Sequence, residues 1–161
     1  MDDLQRLVAI EDIRQLKARY FRLMDTKDWD GLATVFSPTA IFDLRQVNSV
    51  FDPLTGVWTP PFGADSQIYR GRAAVMTMIH DALSPLISVH HGHMSEIEIT
   101  GDQTARAIWA MEDFIRSPPG AARVWLHGSG HYHDTYSRGE GGWDIETTRI
   151  TRLHLADAPE T

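Results

Sequence analysis

From Ile87 to Leu155 the chain reads as four long strands in succession, and this run constrains the fold more than any other feature. Segments 87–99, 103–116, 122–138 and 142–155 are joined at Gly101-Asp102, at Ser117-Pro118-Pro119-Gly120 and at Gly139-Glu140-Gly141-Gly142. Each junction is turn chemistry, so neighbouring strands pair as an antiparallel meander. A helical period precedes them: Leu4, Leu7, Val8, Ile13, Leu16, Tyr20, Leu23 and Met24 recur at three- and four-residue steps and predict a helix over residues 3–25 with these side chains on one face. Asp28 can cap a second short helix carrying Trp29, Leu32, Val35 and Phe36, which Ser37-Pro38 would end. A strand over 40–44 follows, and Val75, Met76, Ile79 and Leu83 mark a third helix over 71–83. Helices segregated to one face of an antiparallel sheet make an α+β fold. One domain over residues 1–161 is expected, with 156–161 a frayed tail.

Residues 45–68 set Pro53, Gly56, Pro60, Pro61 and Gly63 among Val50, Phe51, Val57, Trp58 and Phe62. Loops of this length are functional lids or disordered, and the apolar content predicts an ordered flap. Charge and cysteine content then exclude whole classes. With 15 Lys and Arg against 22 Asp and Glu, a formal charge of −7 gives no footprint for nucleic acid or an anionic membrane surface. With no cysteine, thiolate catalysis, thiolate zinc sites and disulfides are all excluded. The N-terminus is acidic and amphipathic, unlike a signal peptide, and no stretch is apolar for long enough to span a bilayer. A soluble cytoplasmic protein is expected.

Alternation along the strands indicates which polar groups face the interior. In 103–116 the odd positions include Ala105, Ala107, Trp109, Met111 and Ile115, and Asp113 shares their face. A carboxylate there must be paired, shifted in pKa or part of a site. In 143–155 the odd positions include Trp143, Ile145, Leu153 and Leu155, and Arg149 is the one charge among them, suited to a buried carboxylate or a bound anion. Five of the eight histidines lie in His90-His91-Gly92-His93 and His131-Tyr132-His133. Simple alternation puts His91 and His93, not His90, on the side of Ile97 and Ile99; a bulge at Gly92 would reverse this. Tyr20 lies on the helical stripe, as core or as a site hydroxyl. Asp25 ends the first helix, where a negative charge meets the unfavourable end of the dipole; it caps the turn or has a partner such as histidine.

Three pieces of sequence carry a resemblance: Tyr20-x-x-x-x-Asp25-Thr-Lys-Asp-Trp-Asp-Gly-Leu, Val89-His90-His91-Gly92 and Gly142-Trp143-Asp144-Ile145. Together they resemble the SnoaL-like group of the nuclear transport factor 2-like superfamily over about residues 5–155. The resemblance implies a cone-shaped α+β fold in which a curved antiparallel sheet wraps around three helices and encloses a pocket. The chain is most similar there to scytalone dehydratase, bile acid 7α-dehydratase and hexachlorocyclohexane dehydrochlorinase, which eliminate water or HCl with an Asp–His pair. Asp25 matches the aspartate and His90 the histidine; Tyr20 matches a Tyr or Lys, Asp113 an interior acid, and Arg149, more loosely, an arginine. Leu44 and Met24 depart from the scytalone pattern.

The chemistry implied is proton abstraction from carbon by neutral His90, oriented by Asp25, with Tyr20, protonated Asp113 or Arg149 as donor across the pocket. No metal or cofactor is required. The substrate expected is a small hydrophobic cyclic molecule such as a polyketide or steroid-like compound, with Arg149, Trp109, Met111, Trp58, Phe62, Trp125 and His91 as wall or binding candidates. The alternatives are a non-catalytic ligand-binding or dimerisation module, a small subunit of a ring-hydroxylating dioxygenase, or a cupin-type metal enzyme built on His91-x-His93-x-x-Glu96. A homodimer is expected through the outer sheet face bearing Ile108, Ala110 and Phe114.

Overall fold

The computed structural model describes residues 1–61 and 67–156. Helix α1 (Asp3–Asp25) starts at a capping box, in which the Asp2 carboxylate and the Gln5 side chain accept each other's backbone N–H. Its buried residues, Ala9, Ile13, Leu16, Lys17, Tyr20, Phe21, Leu23 and Met24, form the expected stripe only from the third turn on. Leu4, Leu7 and Val8 are 70%, 64% and 51% exposed, because at about 100° per residue they fall on the opposite side of the helix from Ala9, Ile13, Leu16 and Tyr20, which corrects the single face expected for them. After the short α2 (Trp29–Ala33), capped by Asp28, the chain enters β1 (Phe36–Asp43) at once. The strand expected from residue 40 therefore begins at Phe36, and Ser37-Pro38 lies inside it, where the register with the neighbouring strand is irregular.

Strands β2 (Phe51–Asp52) and β3 (Val57–Trp58) form a small hairpin in the flap, and β4 (Ile68–Arg70) leads into α3 (Arg72–Leu83). Then come β5 (Ile87–Gly101), β6 (Thr104–Arg116), β7 (Trp125–Gly139) and β8 (Gly142–Ala156). Residues 62–66 of the flap, including Phe62, and 157–161 of the expected tail lie outside the described residues. The sheet order is β4-β1-β8-β7-β6-β5. The meander is antiparallel as expected, but β1 runs parallel to β8, so the curved, unclosed sheet is mixed.

Helix α1 packs across β5 beneath the interior face of the sheet. Gly92 permits this approach: a Cβ there would lie 2.4 Å from Phe21 Cε2. One turn beyond Phe21, the helix ends in a Schellman motif, with Asp28 N–H donating to Leu23 O and Lys27 N–H to Met24 O. The left-handed position falls on Lys27 (φ 61°) rather than on glycine. This tight stop holds Asp25 against the first residues of β5.

Candidate active site

Two bulges decide which side chains reach the interior. Gly92 pairs with Met111 and Ser95 with Trp109, so β5 carries one extra residue between them. Before it the even positions point inward and after it the odd ones do: Ser88 and His90 are buried, and so is Ile99. His90 thereby stands directly across from Asp113, while His91 pairs with Glu112 and is exposed. The expected wall role of His91 is corrected accordingly.

On β8, Thr135 pairs with Thr147 and Tyr136 with Ile145, which places an extra residue at Glu146. A one-residue slip sends the following side chains to the other face, until a second extra residue at Leu153 restores the parity. Trp143 and Ile145 point inward, then Thr148, Ile150 and Arg152 do, while Arg149 is exposed. The arginine facing a buried carboxylate is therefore Arg152, not Arg149. Its guanidinium donates to both oxygens of Asp113 at 2.8 and 2.7 Å, with side chains 4% and 2% exposed. Arg152 also donates to the Val47 carbonyl and the Met111 sulfur, each at 3.4 Å, tying the flap to the sheet. With both oxygens accepting, Asp113 is an ion-pair acceptor, which corrects its expectation as a protonated donor.

The glycines opposite make room for this pair. A Cβ on Gly128 would lie 2.5 Å from both Arg152 Nη1 and Asp113 Oδ1, and one on Gly130 would lie 2.0 Å from the Thr151 carbonyl oxygen. Gly128→Ala should destabilise the fold by about 1–3 kcal/mol in urea denaturation, because the buried ion pair cannot move aside. An effect below about 0.5 kcal/mol would mean the pair is loosely held.

At the end of α1, His90 Nδ1 lies 2.6 Å from Asp25 Oδ1, and the His90 backbone N–H donates to Asp25 Oδ2 at 2.7 Å. Ser88 Oγ donates to Asp25 Oδ1 at 2.9 Å, and Lys27 Nζ donates to Ser88 Oγ at 2.9 Å. Three donors thus fix one carboxylate, and Lys27 acts on it through Ser88. A carboxylate on Nδ1 selects the tautomer with the proton there, leaving a lone pair on Nε2. Among the described residues no side chain hydrogen-bonds to Nε2. Burial, partly opposed by the Asp25 charge, lowers the Lys27 pKa.

Tyr20 is 1% exposed, its ring edge-on to Phe21, Phe36 and Tyr132. Burial pushes its hydroxyl pKa well up, the Asp134, Asp25 and Asp113 charges add to this, and a hydrogen bond from Tyr132 opposes it. Burial raises Tyr132 likewise. Both remain protonated donors.

Beneath them lies a network missing from the sequence expectations. Lys17 Nζ, fully buried, is 2.8 Å from Asp134 Oδ2 but off hydrogen-bond direction, and sits 3.7 Å over the Tyr132 ring and 4.4 Å over that of Tyr20. Burial lowers its pKa and Asp134 opposes that shift. Asp134 also accepts from Tyr136 at 2.7 Å and Thr148 at 2.6 Å, and Trp109 Nε1 donates to the Tyr136 hydroxyl at 2.9 Å. The clues were a lysine at helical spacing between Ile13 and Tyr20, and an aspartate alternating with Tyr132 and Tyr136.

Of the remaining wall candidates, Met111 contacts Arg152, whereas Trp109 is core. Trp58 packs against Phe51 within the flap hairpin, ring centroids 5.1 Å apart and planes tilted by 47°. Trp125 has the parity of His127, outward rather than toward Asp113. Among the described residues no three His, Asp or Glu side chains are placed to hold a metal ion. A groove of about 900 Å³ crosses the outward sheet face, lined by Glu96, Ile108, His133, Thr147 and Arg149 among others, on the side away from His90.

The SnoaL-like domain profile matches residues 5–149. The chain is 23% identical over 142 residues to a protein named probable cyclase FGR4 from Gibberella zeae, covering 88% of this chain and 89% of that one. Among solved structures, a hexachlorocyclohexane dehydrochlorinase, LinA type 2, aligns with a TM-score of 0.77 at 15% identity, covering 99% of this chain and 95% of its own. A scytalone dehydratase-like protein from Novosphingobium aromaticivorans aligns with a TM-score of 0.70 at 18% identity, covering 98% and 92%. At these identities the structures establish the fold alone, an α+β cone of the nuclear transport factor 2-like type.

Proposed function

Because the chain belongs to the SnoaL-like domain family, we propose that it is a small-molecule lyase or isomerase in which His90 removes a proton from carbon. The observation that carries this reading is the His90 to Asp25 contact of 2.6 Å, on a carboxylate itself fixed by Ser88 and the His90 backbone. Neutral imidazole takes the proton at Nε2, and Asp25 stabilises the imidazolium that results. Tyr20, held protonated by burial and accepting from Tyr132, is the donor for the developing oxyanion or leaving group. Electron flow then expels a β-leaving group or moves a double bond, with no cofactor taking part.

The interior charges are compensated in pairs, Asp113 by Arg152 and Asp134 by Lys17. An uncharged, hydrophobic cyclic substrate suits such a site. The chain names of its relatives, a cyclase and a dehydrochlorinase, are consistent with this class of chemistry. The test is a panel of cyclic β-hydroxy ketones and cyclic halides incubated in deuterium oxide and followed by NMR. Deuterium incorporation or elimination that requires His90 is expected; a panel inert toward both processes, with tight binding of the same compounds, would replace this reading with a binding role.

The working unit proposed is a homodimer joined through the outward sheet face. Its centre is Ala110, flanked by Ile108 and by Phe114, all of which point away from the core.

A further inference from the structure

Six of the eight histidines lie on the outward face of the sheet. His91 and His93 stand on β5, His127, His131 and His133 on β7, and His154 on β8. We propose that this face is a self-association surface governed by protonation: two copies pack sheet to sheet while the imidazoles are neutral, and separate once they are charged. The proposal rests on the homodimer reading above.

Extent and charge favour a second copy as the occupant. Five strands about 4.8 Å apart, paired over about ten residues at about 3.3 Å each, present about 800 Å² per partner, the size of a standard stable interface. The whole chain carries −7, so most encounters between copies are repulsive. On this face, however, Asp43, Glu96, Glu98 and Glu112 are matched by Arg45, Arg106, Arg116 and Arg149. Arg45 bonds Asp43 at 2.8 Å, Arg106 bonds Glu98 at 2.7 Å, and Arg149 pairs across strands with Asp43 and His133. Asp144 and Glu146 stand at the far end of β8, where Glu146 accepts from Thr39 and Ser137.

The face is also laid out to meet itself. At one end Phe114 and His127 are stacked, ring centroids 4.3 Å apart. At the other end lies the groove lined by Glu96, Ile108, His133 and Arg149. Between them run Ala110, His131 and Thr151, paired across β6, β7 and β8. A twofold axis through that row sets the aromatic end of each copy over the groove of the other, as an isologous interface requires.

Histidine is the side chain whose charge changes between about pH 5 and pH 8. His127 bonds Glu112 at 2.7 Å and His93 approaches it at 3.8 Å, so an acid already stands beside both. His91 and His154 are exposed at the rim. Among the described residues His131 and His133 bond no carboxylate: His133 bonds Thr151 at 2.9 Å and faces Arg149, and the Asp134 charge only partly opposes the groups that act on it. Burial, Arg149 and His131 together hold the His133 pKa below the ordinary histidine value. Association that buries His133 further lowers its value again, so the neutral form is the one that packs, and that contribution is lost as pH falls. Charging His131 and His133 in both copies at once places four like charges at the centre of the interface, beside two arginines.

Sedimentation equilibrium of the full chain at about pH 8 and about pH 5.5, with circular dichroism to verify folding at both, tests this. The dimer Kd should rise at least about tenfold on acidification, and by less than about threefold in His131→Gln/His133→Gln, which removes the titrating groups. Ala110→Arg should give a folded monomer at both pH values. A monomeric wild type at every pH sinks the homodimer reading with the proposal. A dimer with unchanged Kd, or one that Ala110→Arg leaves intact, overturns the proposal alone, as does a dimer dissolved by chelator at about pH 8 rather than by acid.

Discussion

His90→Ala is expected to lower turnover of an elimination substrate by about 10²- to 10⁴-fold, the contribution of a positioned general base, with little change in KM. Asp25→Asn should cost a similar factor, although asparagine can still accept from Nδ1, because the charge that stabilises the imidazolium is gone. The more distant partners should matter less. Ser88→Ala and Lys27→Met remove successive links of the chain Lys27–Ser88–Asp25 and should each cost less than about tenfold. Steady-state kinetics on whichever cyclic compound reacts in the panel would show this gradient. Equal losses at Ser88 and His90, or an Asp25→Asn enzyme at full rate, would mean that the pair merely holds α1 against β5.

Asp134→Ala should destabilise the protein by about 3–5 kcal/mol, because it leaves the Lys17 ammonium buried among aromatic rings without its counter-ion. For a chain of this size the thermal midpoint should fall by roughly 6–20 °C. Lys17→Met should cost less, since Asp134 keeps the Tyr136 and Thr148 donors. In the double variant Lys17→Met/Asp134→Ala part of the loss at Asp134 should be recovered, an interaction energy that the double-mutant cycle with the two single variants reads directly. If Asp134→Ala costs less than about 1 kcal/mol, the two side chains do not form a buried ion pair in solution. The Lys17 pKa, lowered first by burial, adds a pH component. A lowered lysine value favours folding with the amine neutral, so stability from this source appears only toward alkaline pH and is lost as pH falls.

The Asp113–Arg152 pair shows how far sequence reasoning reaches and where it stops. Strict alternation along β6 placed Asp113 among Trp109 and Met111, and the structure has it there, because β6 pairs with β7 without any register shift. The same rule applied to β8 selected Arg149, and one extra residue at Glu146 put Arg152 inward instead. The signals were faint. Gly128 and Gly130 interrupt an otherwise well-furnished β7, and their absent side chains are what let Arg152 and the β8 backbone come close. Likewise Leu4, Leu7 and Val8 are spaced as helical neighbours of one another, yet they face solvent, since they lie about half a turn around the helix from Ala9, Ile13 and Tyr20 and only the packing shows which of the two faces is covered.

The sequence by itself determined the elements, their order and the pairing of the long strands, because hydrophobic period, capping and turn chemistry act over a few residues and can be read locally. It also narrowed the inward-facing histidine to His90 or His91, the choice resting on a bulge. Only the tertiary structure decided that choice, exchanged Arg149 for Arg152 and joined Lys17 to Asp134. Side-chain direction in a bulged strand depends on how two strands fit each other, and no residue in either strand states that alone.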